Sequence, residues 1–196
     1  MSALLPFYLR GAEIWGKRLA ILQEALPKLS NFSFLTPQAR WELNPIQRAL
    51  REAANRTGIS LRPALLQGRI DETQFRELFS GMRQDQAEAL IVGDDATFFT
   101  YRRLVTELAA ANRIPAIYSN IFFVEAGGLI VYANDLVVLY RHVAAQIDKV
   151  LKGANPGDIP YYLATNYKLS INLKTAKSLS LELPATLVAR ADEVIE

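Results

Sequence analysis

The sequence predicts an α/β fold in which a parallel sheet is covered by helices on both faces. Short apolar runs alternate with segments of helical periodicity about every 15 residues. The apolar runs, such as residues 87–92, are continuous instead of alternating with polar residues, which is typical of strands buried on both sides. Together these two observations favour three layers, with helices above and below the sheet.

The predicted strands are short runs of apolar, aromatic and β-branched residues bounded by turn residues. They cover residues 31–35, 59–66, 87–92, 114–118, 129–132 and 167–172. A turn at Thr36-Pro37 is predicted directly after the first strand, and an extended segment over 159–163 precedes the last. Helical segments separate most neighbouring strands, which favours parallel pairing.

The predicted helices have apolar residues three or four positions apart. They cover residues 11–29, 44–55, 71–83, 98–112 and 134–151, and two shorter ones begin near Leu173 and at Pro184. Asp71 is predicted to cap the third helix, and Asn134 or Asp135 the fifth. Gly58 and Gly153 are predicted to end the second and the fifth helix.

Composition and charge exclude several classes of protein. The 196 residues include no cysteine, which excludes disulfides, thiolate metal sites and a cysteine nucleophile. The formal net charge is +2 and the basic residues are scattered, which counts against nucleic-acid binding. No apolar run reaches the roughly 20 residues of a membrane-spanning helix. The first residues do not resemble a signal peptide, so the sequence as it stands predicts a cytoplasmic location.

No catalytic or cofactor motif is present in the sequence. There is no G-x-G-x-x-G after a strand, no Gly-rich loop ending in Gly-Lys-Ser/Thr and no G-x-S-x-G. The single histidine, His142, is predicted within a helix, and one histidine without cysteine does not favour a transition-metal site. Asp94 and Asp95 precede a predicted helix, where carboxylates more often cap than catalyse. These features favour a protein with no catalysis, no metal and no cofactor.

Polar and aromatic residues follow the predicted strands at their carboxyl ends, where ligands bind in open α/β sheets. The candidate ligand-binding residues are Thr36, Asp94, Asp95, Thr97, Tyr118, Ser119, Asn120, Tyr132 and Asn134. They combine hydrogen-bonding groups with aromatic faces, which suits a small polar or amphipathic solute. A turn or cap role is the alternative for each of them, because Asn, Asp, Ser and Thr are common at such positions.

The C-terminal segment INLKTAKSLSLELPATLVARADEVIE, residues 171–196, carries the most specific family signal. Weaker similarity lies in Gly16-Lys17-Arg18-Leu19, residues 112–118, 123–129, 148–153 and 158–160. In these segments the chain resembles the substrate-binding proteins of ABC transporters, which have the type I periplasmic-binding-protein fold. The resemblance implies two α/β lobes that close over a small solute and deliver it to an ABC permease. It also implies a periplasmic or cell-surface location and no catalysis.

The resemblance implies a domain plan as well. Residues 11–128 would form the second lobe, residues 129–158 a remnant strand and helix of the first lobe, and residues 159–196 a return to the second lobe. Most of the first lobe would then be missing, so the chain would be a truncated receptor. Leu35-Thr36-Pro37-Gln38 differs from the Trp-Asn-Pro-like turn that the family usually has after the first strand.

The predicted helix over 134–151 has a wide apolar face that a first lobe would normally cover. Burying one aliphatic side chain contributes about 1.5–3 kcal/mol, so we expect a second copy of the chain or the chain's own lobe to cover this face. A homodimer through this helix is one form of that prediction. Tyr118 and Tyr132 favour an amino-acid-like solute.

Two other functions stay open from the sequence. The first is a ligand-sensing or dimerisation module of the same fold with no role in transport, which predicts a stable dimer at the 134–151 helix. The second is an enzyme on a doubly wound fold, and it lacks every expected motif.

Overall fold

The computed structural model describes residues 5–42, 45–160 and 162–196, and it contains seven strands in these ranges. The strands are β1 (Asn31–Pro37), β2 (Ser60–Leu66), β3 (Leu90–Val92), β4 (Ala116–Tyr118), β5 (Ile130–Asn134), β6 (Tyr167–Asn172) and β7 (Glu193–Ile195). They form one sheet in the order β2-β1-β3-β4-β5-β6-β7. Asn44 and Tyr161, which belong to a predicted helix start and a predicted extended segment, lie outside the described residues.

Strands β1 to β5 are parallel to one another, which confirms the predicted fold class. Strand β6 runs antiparallel to β5, with Asn134 opposite Tyr167, and β7 pairs with β6 in parallel. The backbone N–H of Asp135 donates to the carbonyl of Asn166 at 2.8 Å, so the chain re-enters the sheet at the edge where β5 ends. A strand that begins at that edge has to run back along its neighbour. Strand β7 was not predicted, because its three residues include a charged one and form no buried apolar run, unlike the equally short β3 and β4.

The helices follow the predicted order, with short additional ones between them. They are α1 (Leu5–Ala25), α2 (Gln38–Glu42), α3 (Pro45–Thr57), α4 (Glu72–Gln84), α5 (Ala96–Thr100), α6 (Arg102–Ala111), α7 (Phe122–Glu125), α8 (Leu136–Leu151), α9 (Leu173–Ser178) and α10 (Ala185–Ala189). None of the helices in the described part of the chain is long and apolar enough to cross a membrane.

The sheet separates two hydrophobic cores. Helices α1, α2, α3, α9 and α10 pack on one side, which we call the α1 face, around Trp15, Phe34 and Trp41. The Phe34 ring lies between the two tryptophans, with centroid distances of 5.2 and 5.7 Å. Helices α4 to α7 pack on the other side, the α6 face, around Phe75 and Phe98. This three-layer arrangement places the carboxyl ends of the parallel strands at one edge.

Four predicted helix boundaries are confirmed by capping contacts or by the backbone conformation of a glycine, whereas the first helix runs over Leu5–Ala25 instead of 11–29. The Asp71 side chain accepts a hydrogen bond from the Gln74 N–H at 3.1 Å and caps α4. Of the two candidates for α8, Asp135 is the cap, and its Oδ1 accepts from Val137 N–H at 2.9 Å. Gly58 and Gly153 follow α3 and α8 with φ of 71° and 95°, a backbone conformation that glycine adopts without strain.

Two local predictions are wrong. Thr36 and Pro37 are not a turn but the end of β1, because they pair with Leu65 and Leu66 of β2. The single helix predicted over 98–112 is divided into α5 and α6 at Tyr101, whose φ and ψ of −94° and 17° depart from helical values.

Helix α8 projects from the domain with its apolar side uncovered. None of its residues is buried, and Tyr140, Ile147 and Leu151 are 66%, 54% and 81% exposed. Its contacts with the returning chain involve the His142 ring, stacked on Tyr162 at 3.7 Å. The prediction that the chain's own lobe covers this face is therefore wrong.

The strand and the helix predicted over 129–158 do not form one unit. Strand β5 is hydrogen-bonded to β4 and β6 within the seven-stranded sheet, so it is part of the same lobe as β1 to β4. Only the helical part of the segment leaves the sheet. The break between the two lies at Asn134, where the chain passes from a paired strand into an exposed helix.

Replacing Phe34 with alanine is expected to lower the free energy of unfolding by about 3–5 kcal/mol, because it leaves a cavity between two tryptophans. The control is Phe99→Ala, at a phenylalanine that is 45% exposed, for which a loss below about 1 kcal/mol is expected. Urea denaturation followed by circular dichroism measures both. Equal losses for the two variants would contradict the described core.

Candidate functional site

The carboxyl ends of the parallel strands meet at one edge of the sheet, which we call the carboxyl edge. Register brings Leu35 of β1 beside Val92 of β3, and Tyr118 of β4 beside Val131 of β5. Tyr167, the first residue of β6, joins this edge opposite Asn134. The residues after each strand end therefore come close together, as expected for a site at this edge.

Asp95 and Thr97 act together in capping α5. Asp95 Oδ1 accepts a hydrogen bond from the Thr97 N–H at 2.9 Å, and its Oδ2 lies 3.2 Å from Arg40 Nε. Burial would raise the pKa of Asp95, but the hydrogen bonds from Thr97 and Arg40 outweigh it and hold the pKa below its ordinary value. The capping alternative thus describes what Asp95 does in the structure. Asp94, its neighbour, is exposed at the edge.

Ser119 and Asn120 join the loops that follow β3 and β4. Ser119 Oγ donates to the Gly93 carbonyl at 2.8 Å, and Asn120 Oδ1 accepts from the Phe122 N–H at 3.0 Å. Thr36 is buried beside Gly93, where a Cβ would lie only 3.0 Å from the Leu35 carbonyl. This close approach favours glycine at position 93, because a side chain there would press against the backbone of β1.

Tyr118 lies on the side of the sheet away from α1. Its ring is 1% exposed and stacks on Phe123 at a centroid distance of 4.6 Å. Burial raises the pKa of its hydroxyl far above the ordinary value. A Cβ at Gly128 would come within 2.8 Å of this ring, so the glycine makes room for it. This placement assigns the Tyr118 ring to the core of the α6 face.

Tyr132 and Asn134 lie on the α1 face, because alternate residues of a strand point to the same side. The Tyr132 ring stacks on Tyr167 at 5.4 Å, and Lys17 Nζ lies 5.6 Å from its centroid. Asn134 is half-buried, and its Oδ1 is buried without a hydrogen-bond partner among the described residues.

Arg18 of α1 belongs to the same group and was not among the predicted site residues. It is only 4% exposed, its Nε donates to the Tyr132 carbonyl at 3.0 Å, and its guanidinium carbon lies 4.4 Å from the Trp15 ring centroid. Its Nη1 is buried and has no hydrogen-bond partner within the described ranges. The sequence contained a signal, because Arg18 stands three residues after Trp15 and four before Leu22, on the apolar side of the helix.

The charge on Arg18 persists at neutral pH despite its burial. Desolvation lowers its pKa to about 10, and the Asp94 carboxylate offsets part of this effect. A pKa near 10 still leaves the guanidinium protonated at pH 7. We call Arg18, Asp94, Tyr132, Asn134 and Tyr167 the Arg18 cluster. It offers a buried cation, two acceptor side chains and two aromatic rings.

Other parts of the described structure offer less to a ligand. A cavity of about 370 Å³ lies beside α9 and is lined by Leu173, Lys177 and Glu182 among others. Helix α9 follows the far end of β6, so this cavity is remote from the carboxyl edge. Within the described ranges, no group of three or more His, Asp and Glu side chains is placed to hold a metal ion.

A sequence model of the family described as ABC transporter substrate binding protein matches residues 11–195. No curated protein sequence is significantly similar to the chain. The match covers every strand of the sheet and all of the Arg18 cluster.

Solved structures share the fold. A conserved domain protein from Vibrio cholerae superposes with a TM-score of 0.81 at 18% identity, over 92% of this chain and 60% of that chain. The ABC domain from Streptococcus pneumoniae, in complex with L-Trp, superposes with a TM-score of 0.80 at 21% identity, over 92% of this chain and 62% of that chain. The ligand-free, open structure of a substrate-binding protein with adhesive properties from Clostridium difficile superposes with a TM-score of 0.66 at 21% identity, over 91% of this chain and 59% of that chain. The chain thus spans about 60% of the length of these proteins.

Replacing Arg40 with methionine is expected to raise the pKa of Asp95, because the carboxylate loses an ion pair. A folded-state pKa below the unfolded value of about 3.9 means that ionised Asp95 stabilises the fold above that pH. This contribution is lost as the pH falls from the unfolded-state pKa through the folded-state pKa. In the variant the two values lie closer together, so the contribution is smaller and its loss is complete at a higher pH. Carboxyl-detected NMR titration measures the pKa. Arg48→Met removes an exposed ion pair with Glu52 instead; it is the control and should leave the pKa of Asp95 unchanged.

Proposed function

Because the chain belongs to the family of ABC transporter substrate-binding proteins, we propose that it forms one side of a cleft that binds a small solute for uptake without catalysis. The observation that carries the proposal is the Arg18 cluster at the carboxyl edge. Its buried atoms include a donor and an acceptor without partners among the described residues, and the polar groups of a solute held at this edge would satisfy them.

The second part of the proposal is that the opposite side of the cleft comes from polypeptide outside these 196 residues. The exposed apolar side of α8 supports this, since Tyr140, Ile147 and Leu151 have no cover in the described structure. Each would contribute about 1.5–3 kcal/mol on burial. The coverage of about 60% of each similar structure agrees with a missing lobe. An opposing lobe that packs on α8 would also face the carboxyl edge, because α8 begins directly after Asn134.

The proposed setting follows from the family. The solute would be captured outside the cytoplasmic membrane, in the periplasm or at the cell surface, and passed to an ABC permease. Closure of the two lobes about the connections at the carboxyl edge would exclude water from the solute. An amino-acid-like solute is supported by the L-Trp complex of the Streptococcus pneumoniae protein and by the paired rings of Tyr132 and Tyr167.

The α8 face also favours a second candidate function. A second copy of this chain could occupy it, and the chain would then be a dimerisation or ligand-sensing module of the same fold. The two functions differ in what covers the helix, so they are separated by the oligomeric state.

The chain alone is expected to bind aromatic amino acids weakly, with dissociation constants of about 1 mM or higher, because it supplies only one wall of the cleft. NMR titration with L-Trp and L-Phe should shift amide signals at the carboxyl edge and leave those of α9 unchanged. D-arabinose serves as a comparison solute. Shifts confined to the cavity beside α9, or none with any solute, would contradict solute binding at this edge. Submicromolar affinity in calorimetry would contradict the missing wall.

We combine Tyr140→Ser with Ile147→Ser. Each substitution is expected to change the free energy of unfolding by less than about 0.5 kcal/mol, because both side chains are more than half exposed. Light scattering should find both this variant and the unmodified chain monomeric at micromolar concentration. Arg141→Ser with Lys149→Ser, exposed residues on the polar side of α8, is the matched control. A stable dimer that only the first variant disrupts would favour the dimerisation module and contradict the opposing lobe.

A further inference from the structure

We infer that Arg18 is the residue of this lobe that recognises the solute, and that it does so by binding a carboxylate group. The inference rests on the proposed function, because it names the chemical group that the solute presents at the carboxyl edge. It is carried by two buried atoms without a hydrogen-bond partner among the described residues, Nη1 of Arg18 and Oδ1 of Asn134.

The packing of Arg18 uses only part of its guanidinium. Nε is bonded to the Tyr132 carbonyl, and the group lies over the Trp15 ring, so these contacts already hold α1 to the sheet. The N–H groups of Nη1 are buried as well, yet no acceptor faces them in the described structure. An unpaired buried group costs more when it is charged, and few such groups occur in native structures without a functional reason.

Another arginine in the chain shows that stacking on tryptophan does not require this burial. Arg51 lies over the Trp41 ring at 5.6 Å, but its side chain is exposed, so water satisfies its N–H groups. Arg18 has the same type of stacking and is 4% exposed. The difference between the two sites is that the guanidinium of Arg18 is closed off from water while its Nη1 has no acceptor among the described residues.

A carboxylate fits this arginine better than other anions. The planar guanidinium matches the two oxygens of a carboxylate, and a bond in a site of low dielectric is stronger than in water. The Asp94 carboxylate lies close enough to influence Arg18 electrostatically, and it would repel a doubly charged phosphate. The same negative charge favours a solute that also carries a protonated amine.

Asn134 and Asp94 supply the acceptors for such an amine. Asn134 lies two residues beyond Tyr132 on the same side of β5, which is about 7 Å along the strand. The stacked rings of Tyr132 and Tyr167 provide an apolar surface in the same cluster. The complete set matches an α-amino acid with an apolar or aromatic side chain.

The first test compares three probes on the unmodified chain labelled with ¹⁵N. L-tryptophan has both charged groups, indole-3-propionate lacks the amine, and tryptamine lacks the carboxylate. The Arg18 Nε–H signal should be slow to exchange, since it is buried and bonded to the Tyr132 carbonyl. L-tryptophan and indole-3-propionate should shift this signal, and tryptamine should bind at least about tenfold more weakly than L-tryptophan.

The second test uses variants. Arg18→Met should weaken the binding of L-tryptophan about tenfold or more and leave the binding of tryptamine unchanged. Arg18→Lys should restore part of the affinity for L-tryptophan. Arg51→Met is the matched control and should change neither. Asn134→Leu should weaken the binding of L-tryptophan but not that of indole-3-propionate, because only a probe with an amine loses an acceptor. Replacement by an apolar residue of similar size costs little stability when the original group was unpaired.

The outcomes separate this inference from the proposed function. Equal affinity for L-tryptophan and tryptamine overturns the inference and leaves solute binding intact. Binding of D-arabinose, with no shift of the Arg18 signal by either carboxylate probe, has the same consequence. An equal shift of the Arg18 signal by inorganic phosphate also overturns carboxylate recognition. If neither the three probes nor D-arabinose bind, both the inference and the proposed function are overturned. The comparison of probes on the unmodified chain keeps the test valid even if the Arg18 variants do not fold.

Discussion

The guanidinium of Arg18 joins the first helix to the fifth strand, and the form of the carboxyl edge depends on this contact. Its Nε donates to the carbonyl of Tyr132, a residue 114 positions further along the chain. Movement of α1 along the sheet would leave a buried cation without its acceptor, which is costly. One helical turn earlier, Trp15 packs edge-on against Phe34 of β1. A polar and an apolar contact thus place the same helix.

The alternation of side chains along the strands decides which residues this helix can meet. Tyr118 of β4 is in register with Val131 of β5, so the two point to the same side, the α6 face. Tyr132 is one residue further and points to the α1 face, where it meets Tyr167 and Arg18. A difference of one position therefore places Tyr118 in the core of the α6 face and Tyr132 beside Arg18 on the α1 face. Two tyrosines of similar appearance in the sequence have different surroundings for this reason.

Helix α8 shows a different physical constraint. Its apolar residues recur three and four positions apart, which stabilises a helix only when something covers that face. In the described structure the returning chain touches it through Tyr162 and Pro160, and most of the face remains open to solvent. The cap by Asp135 and the ion pair of Asp135 with Lys168 at 2.9 Å hold the start of the helix in place. The helix is therefore anchored at its base and uncovered along its length.

The sequence by itself determined the layers of this protein, since strand length, helical periodicity and caps such as Asp71 and Asp135 are local properties. It also indicated the edge where polar residues collect, because parallel strands end together. Only the tertiary structure decided the direction of β6, the separation of Tyr118 from Tyr132, and the membership of Arg18 in the site. The Arg18 contact joins residues 114 positions apart, and no local pattern records which distant carbonyl a buried cation will meet. The other two features depend on strand pairing, which also lies outside any local pattern.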